Sequence, residues 1–155
     1  MISIGSYVAR ETAVSAIISG AISTGFFFGL FGLRQPAPVQ GWGGYAMDFV
    51  PQSAPVAFMA CLVPALLVRQ AAKSGRIAAK VQLGAGALVG LASACAMLGA
   101  LVGGGVALIW IGSGVAAVAP LPALLIKIGY GALIGALVTR QVLHRLLRLS
   151  HPIKD

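Results

Sequence analysis

Two polar residues open the second apolar stretch of the chain, and a lysine lies inside the last one. Asp48 and Gln52 are four residues apart in the segment DFVPQSAP, so a helix places both on one face. Two prolines in this segment each remove a backbone donor and so leave carbonyl groups free. An unpaired cation such as Lys127 costs about 2.5–3.5 kcal/mol in the middle of a span. Together with Tyr130, these residues form a candidate polar membrane site for a cation or a proton.

Two arrangements account for the ionisable members of this site. In the first, Asp48 and Lys127 approach each other across the bundle, and a depth difference of about 12 Å predicts that Gln52, Tyr130 or a water stands between them. In the second, Asp48 caps the second helix through its first free N–H groups, and Lys127 forms a structural ion pair or extends toward the interface. Buried ion pairs often serve specificity rather than transport, which favours a structural role.

No other residue types form a pattern that indicates catalysis or cofactor binding. His144 and His151 both follow the last apolar stretch, so no pair of intramembrane imidazoles can ligate haem. Cys61 and Cys95 lie in apolar stretches without a CxxC motif or a nearby histidine, which argues against a metal site. With only three acidic residues, an acid–base pair is disfavoured. The sequence predicts no catalytic residue, no metal, no cofactor and no enzyme.

The composition places these residues in an all-α integral membrane protein. The 155 residues are 59% hydrophobic and 9% charged, whereas soluble domains have about 25% charged residues. Residues 106–119 are apolar enough for a re-entrant segment, and a five-span arrangement is the alternative. That alternative leaves a last span too short for the bilayer. The preferred prediction is one domain, 1–155, folded as a four-helix transmembrane bundle with spans at 12–33, 49–68, 81–102 and 120–139.

The net charge of +8 is distributed in the pattern that orients membrane proteins. The basic residues are concentrated between the second and third spans and after the fourth, at Arg69, Lys73, Arg76, Lys80, Arg140, Arg145, Arg148 and Lys154. By the positive-inside rule, both termini and the central connector are cytoplasmic. The charge therefore predicts orientation and attraction to anionic lipid, and not a nucleic-acid partner.

The two halves of the chain show a weak internal similarity at a shift of about 71 residues. ALLVRQ at 65–70 matches ALVTRQ at 136–141, and Pro51 matches Pro122. The repeating unit is then a helical hairpin, and both copies have the same orientation. Chance similarity between apolar helices is the alternative to such a tandem repeat.

Small residues recur at four-residue spacing in three of the spans. Such stripes let helix backbones approach closely, which is the main attraction available between helices in lipid. There are more stripes than a four-helix monomer needs, so self-association or a neighbouring subunit is expected to use one. The residues concerned are Ser15, Ser19, Ser23, Gly25, Gly29, Gly86, Gly90, Gly131 and Gly135.

The segment after the last span, residues 140–150, is predicted to be an amphipathic basic tail. Its leucines and valine fall on one side of a helix and its basic residues largely on the other. Arg140, Arg145 and Arg148 are therefore predicted to contact lipid headgroups or, alternatively, an acidic partner protein.

The stretch GGYAMDFVPQSAPVAFMACLVPALL, at 43–67, follows a Phe-rich first helix that contains GFFFGLFG. This pattern resembles small, uncharacterised bacterial inner-membrane proteins with a DFxPQ-type second span. The resemblance implies a multi-pass protein of the bacterial inner membrane and no assigned activity.

Two functional hypotheses follow from these patterns. The first is a non-catalytic accessory or assembly subunit of a membrane complex, with membrane lipids and another membrane protein or a second copy as partners. The second is a small homo-oligomeric channel or transporter with a polar path through Asp48, Gln52 and Lys127. The two hypotheses differ over water, since transport predicts an aqueous cavity shared by Asp48 and Lys127, and a subunit predicts a dry pair or a lysine that extends toward the interface.

Overall fold

The computed structural model describes residues 4–75 and 84–148. Each of the four helices in this part of the chain is long and apolar enough to cross a membrane. The predicted all-helical architecture is confirmed to that extent. In chain order the elements are α1 (Ile4–Leu30), β1 (Ala37–Pro38), α2 (Phe49–Lys73), α3 (Ala85–Gly112), β2 (Ala117–Val118) and α4 (Pro120–Arg148).

The helices are arranged in the order α3, α2, α4 and α1. α2 packs most extensively against α3, α1 packs against α4, and α2 meets α4 at the centre. α1 also touches α2 over a smaller area. Each half of the chain is a helix, a short strand and a second helix, and the first helix of each half packs on the second helix of the other.

The connector between β1 and α2 enters the bundle and does not lie above it. β1 and β2 pair in antiparallel fashion, and the backbone N–H of Tyr45 then donates to the carbonyl of Pro38 at 2.7 Å. Gly41 and Gly43 adopt φ angles of 92° and 82°, which side-chain-bearing residues rarely adopt, and so allow the chain to fold back. Tyr45 is fully buried. α2 therefore begins deeper in the bundle than α4, which begins at Pro120 directly after β2.

The helices extend beyond the spans predicted from hydropathy. α1 begins at Ile4 rather than near 12, and α4 ends at Arg148 rather than near 139. The predicted end of the third helix at 102 is wrong, because α3 continues through three glycines to Gly112. Backbone groups in apolar surroundings have no partner outside the helix, so a glycine run there does not end it. The predicted start of that helix at 81 lies outside the described residues.

The re-entrant alternative for residues 106–119 is not found. Residues 106–112 belong to α3, and the remainder forms a turn followed by β2. The five-span alternative is likewise absent from the part of the chain that the structure describes.

Two of the predicted small-residue stripes lie against each other. Ser19 and Ser23 of α1 contact Gly135 and Gly131 of α4, and a Cβ at either glycine would overlap the facing serine hydroxyl. The Ser15 hydroxyl donates to the carbonyl of Gly135 at 3.3 Å. The first and last helices are therefore joined along a line of glycines and serines.

A corresponding contact between α3 and α2 was missed by the sequence analysis. A Cβ at Gly99 would lie 2.7 Å from the Cβ of Ala57, and one at Gly103 would lie 2.7 Å from the Oγ of Ser53. The four-residue spacing of Gly99 and Gly103 is visible in the sequence. The predicted end of the third span at 102 leaves Gly103 outside that span, so the pair does not count as a packing stripe in the sequence.

The remaining predicted packing glycines have no helix against them. Gly25 and Gly29 on α1, and Gly86 and Gly90 on α3, have no described atom within 4 Å of the position that a Cβ would occupy. They therefore do not pack against another helix of the described chain, and a contact with a second copy or a neighbouring subunit stays a prediction. The contacts of α1 and α3 use other faces of these helices.

The basic tail continues α4 as a regular helix. Its apolar face packs into the bundle against the other three helices, and the predicted contact of its arginines with lipid or a partner stays a prediction. Arg140 and Arg145 are exposed, whereas the side chain of Arg148 and residues 149–150 lie outside the described part. The buried residues of the tail are Val142, Leu143, Leu146 and Leu147.

Candidate functional site

The two ionisable residues within the apolar body of the bundle form an ion pair. The Nζ of Lys127 lies 2.6 Å from the Oδ2 of Asp48 and donates to it. The two side chains are 0% and 1% exposed. Because removing two charges from water is costly, such a pair persists only with close geometry and supporting contacts.

Aromatic rings surround the ammonium group. The Nζ of Lys127 lies 3.9 Å from the ring centroid of Phe49 and 5.1 Å from that of Tyr45. The Tyr45 ring stands edge-on to both Phe49 and Trp110, each at 5.3 Å between centroids. A cation over aromatic faces gains roughly 2 kcal/mol or more when it is desolvated. These rings thus stabilise the charge and exclude water.

The direct contact between Asp48 and Lys127 contradicts the predicted difference in depth. The Tyr45 hydroxyl donates to the carbonyl of Ala123 at 2.9 Å, so the embedded connector is level with the first turn of α4. Asp48, one turn beyond Tyr45, is consequently level with Lys127. The expectation of a side chain or a water between the two charges is wrong, because it assumed that α2 and α4 begin at equal depth.

Asp48 does not cap α2 through its side chain. It occupies the N-cap position, but its carboxylate makes no capping hydrogen bond. Capping residues usually have extended backbone angles, whereas Asp48 is already helical with φ −66° and ψ −17°. The capping alternative is therefore wrong, and Oδ2 is used for the ion pair.

Gln52 connects the site to α1 rather than to Lys127. Its Nε2 donates to the Oγ of Ser23 at 2.6 Å, and that hydroxyl donates to the carbonyl of Ser19 at 2.9 Å. The Oε1 of Gln52 and the Oδ1 of Asp48 are buried and have no hydrogen-bond partner among the described residues. An unsatisfied buried acceptor costs about 1–3 kcal/mol, so both oxygens have a strong tendency to accept a donor.

Tyr130 is connected to the ion pair through its contacts with Ser53 and Phe49. Its hydroxyl lies 2.7 Å from the Oγ of Ser53, which in turn donates to the carbonyl of Phe49. The ring centroids of Tyr130 and Phe49 are 4.9 Å apart. Tyr45, Phe49 and Ser53 were not predicted as members of the site, although Tyr45 and Phe49 lie on either side of Asp48 at the four-residue spacing of one helix face.

The ion pair is separate from the cleft between α1 and α2. That cleft has a volume of about 140 Å³ and is lined from Glu11 to Ile22 on α1 and from Met59 to Leu67 on α2. Within the described residues, no group of three or more His, Cys, Asp or Glu side chains is placed to hold a metal ion. The ion pair can fix the position of α2 along α4, and the hydrogen bond of Gln52 connects the site to α1.

Comparisons of the chain with protein-family models, curated proteins and solved structures find no match. The resemblance of residues 43–67 to small bacterial inner-membrane proteins therefore stays a prediction. What is established is a chain with four helices that are long and apolar enough to cross a membrane.

Proposed function

We propose that the protein is a non-catalytic integral membrane protein that serves as an accessory or assembly subunit of a larger membrane complex. The exposure of α3 carries this proposal. α3 is the most apolar of the four helices, yet only 17% of its apolar window is buried within the chain. Its extended contacts among the described elements are with α2 alone. Most of its circumference is therefore available to a neighbouring membrane helix.

The glycines of α3 indicate which part of this surface a partner would use. Gly99 and Gly103 already contact α2, whereas no residue in the described part of the chain covers Gly86 and Gly90. Without a hydrophobic driving force in lipid, helix association depends on the close packing that small residues permit. The face that carries Gly86 and Gly90 thus favours a protein helix over a lipid chain.

The closed ion pair supports a structural role for the polar site. Lys127 is in direct contact with Asp48, and its charge is covered by Phe49 and Tyr45. A conducting path would require water at these charges. The pair instead fixes the position of α2 along the bundle relative to α4. Because α3 packs on α2, the pair also orients the exposed surface of α3.

Native mass spectrometry after gentle extraction tests the proposal. We expect the wild-type protein to carry unrelated subunits at a reproducible stoichiometry. The double variant Gly86→Leu/Gly90→Leu is expected to lose them, because bulky side chains keep a second helix at a distance. The matched control Gly25→Leu/Gly29→Leu changes two equally uncovered glycines on α1 and is expected to retain them.

A protein recovered only as a homo-oligomer would contradict the subunit proposal. Loss of the partner in the α1 variant alone would retain the subunit role but move the contact from α3 to α1. Both variants alter exposed helix positions, so their thermal unfolding is expected to match that of the wild type.

The second candidate is a small homo-oligomeric channel or transporter with a polar path through Asp48, Gln52 and Lys127. Oδ1 of Asp48 and Oε1 of Gln52 have no partner among the described residues and favour it, because a proton or a water moving along the path would supply the missing donor. The fixed ammonium of Lys127 beside these oxygens opposes the binding of a second cation, so this candidate ranks below the first.

We further propose insertion in the bacterial inner membrane with both termini cytoplasmic. The N-terminal part of α1, the end of α2 and the end of α4 meet in one cluster of Val8, Val68, Leu143 and Leu147. The basic ends of these helices therefore lie at one end of the bundle, as the positive-inside rule requires. Alkaline phosphatase fused after residue 148 is expected to be inactive, and the same enzyme inserted after the exposed Gln35, in the loop before β1, is expected to be active. The reverse result would invert the proposed orientation.

The arrangement of elements also supports a tandem repeat of a helical hairpin. α1 packs on α4 as α3 packs on α2, and β1 pairs with β2 between the halves. The strands begin at Ala37 and Ala117, a shift of 117 − 37 = 80 residues, whereas α2 and α4 begin at Phe49 and Pro120, a shift of 120 − 49 = 71 residues. The two shifts differ because the first half contains the embedded connector between its strand and its second helix, and the second half lacks such a segment. The first hairpin therefore carries an insertion that brings Asp48 to Lys127.

A further inference from the structure

The outward face of α4 contains a basic depression near the end of its apolar part. The depression is shallow and open to the surroundings, and it lies between the side chains of Leu137, Arg140, Gln141, His144 and Arg145 on this one helix. These residues share one helix face, because each of them is three or four residues away from another member of the set. Among the described residues, neither guanidinium group forms an ion pair or a hydrogen bond.

The position of the depression along α4 matches a membrane interface. From Pro120 to Thr139 the helix has 20 residues with Lys127 as the one charged side chain, and at about 1.5 Å per residue this length equals the hydrocarbon thickness of about 30 Å. Arg140 follows immediately. The Thr139 hydroxyl lies 2.7 Å from that of Ser15, and Glu11, the last charged residue before the apolar part of α1, lies one turn beyond Ser15. Two helices therefore place the interface at the same level.

The packing of α4 holds this basic face toward the surroundings of the bundle. The opposite side of the same turns carries Leu143 and Leu147, which are buried against Val8 and Val68. The helix cannot rotate without exposing this cluster. The guanidinium groups of Arg140 and Arg145 are thus fixed outward at the height of lipid headgroups, where a phosphate group can reach them.

We propose that this depression binds the phosphate of an anionic membrane phospholipid. Arg140 and Arg145 supply positive charge and paired N–H donors, which match the geometry of a phosphate. Gln141 and His144 add donors for the polar headgroup, and Leu137 contacts the start of an acyl chain. No carboxylate is among the described residues that line the depression, so none of these side chains pairs with the ammonium of a zwitterionic lipid. The assignment does not depend on the proposed subunit function.

Lipid retention measured by native mass spectrometry tests the site. The purified full chain is exchanged into mixed micelles that hold equal amounts of phosphatidylglycerol and phosphatidylcholine with identical acyl chains. The wild type is expected to retain phosphatidylglycerol selectively. In Arg140→Gln/Arg145→Gln, its apparent affinity is expected to fall by about 30-fold, since each basic group near the surface contributes about 1 kcal/mol.

The variant Arg10→Gln/Arg69→Gln is the matched control, since it removes the same charge at the same end of the bundle. It is expected to retain phosphatidylglycerol as the wild type does. Equal losses in both variants would overturn the proposal in favour of general charge attraction. Unchanged lipid retention in Arg140→Gln/Arg145→Gln, with loss of a copurified acidic protein, would overturn it in favour of a protein interface. Phosphatidylglycerol titration should also raise the Tm of the wild type and the control, but not of the site variant.

Discussion

Replacement of Lys127 with methionine is expected to lower the free energy of unfolding by about 3–5 kcal/mol, because it leaves the Asp48 carboxylate buried without a partner. Methionine keeps the length and the unbranched shape of the lysine stem, so loss of packing contributes little. Oδ1 of Asp48 already lacks a partner among the described residues. The variant therefore leaves both carboxylate oxygens unsatisfied at the junction of α2 and α4.

The double variant Asp48→Leu/Lys127→Met separates the charge effect from the packing effect. Removing both partners of a buried ion pair in favour of apolar residues is often neutral or stabilising. We therefore expect the double variant to recover most of the stability lost by Lys127→Met. The exposed Lys73 provides the control, since Lys73→Met is expected to change stability by no more than about 0.5 kcal/mol.

Trp110 fluorescence during denaturant titration is the measurement for these variants. The ring of Trp110 lies 5.3 Å from that of Tyr45, which covers the ion pair, so its emission responds when the site opens. Trp42 is 98% exposed and is replaced by phenylalanine in all variants to leave a single reporter. A loss below about 1 kcal/mol in Lys127→Met, or a double variant that is as unstable as the single one, would show that the charges are hydrated and not a dry pair.

The polar site illustrates what can and cannot be predicted from this sequence. Asp48 and Lys127 could be identified because ionisable residues in apolar stretches are rare and need partners. Their direct contact could not be predicted, because the sequence gives the depth of a residue in the membrane only as its distance from the start of its apolar stretch. The embedded connector at 39–48 shifts α2 relative to α4, and this shift depends on tertiary contacts such as that of the Tyr45 hydroxyl with Ala123. Hydropathy contains no information about such a shift.

The packing glycines, too, could be predicted only in part from the sequence. Spacing in the sequence identified stripes on α1, α3 and α4, but it did not show which stripes meet a helix. Gly131 and Gly135 contact α1, whereas Gly86 and Gly90 are uncovered. Any helix has several faces, and the choice between them depends on the order of the helices in the bundle. That order is set by long-range contacts that a four-residue spacing does not encode.

The effect of helix order is directly testable at two adjacent glycines of α3. Gly103→Ala is expected to be about 1–3 kcal/mol less stable than Gly104→Ala, which is the range for inserting a methyl group into a packed interface. A Cβ at Gly103 would overlap the carbonyl of Phe49 and lie 2.7 Å from the Oγ of Ser53, whereas no described atom lies within 4 Å of one at Gly104. Both changes alter helix propensity equally, so that contribution cancels in the comparison.

The neighbours of Gly103 cannot move aside without disturbing the ion pair. Phe49 presents a backbone carbonyl, and Ser53 is held by that carbonyl and by the Tyr130 hydroxyl. A shift of Phe49 would withdraw the ring that lies 3.9 Å from the Nζ of Lys127. In the Trp42→Phe background, Gly103→Ala is therefore expected to change Trp110 emission in the folded state, whereas Gly104→Ala leaves it unchanged. Equal stability and equal emission in the two variants would place a different face of α3 against α2, and would remove the basis for assigning Gly86 and Gly90 to a partner.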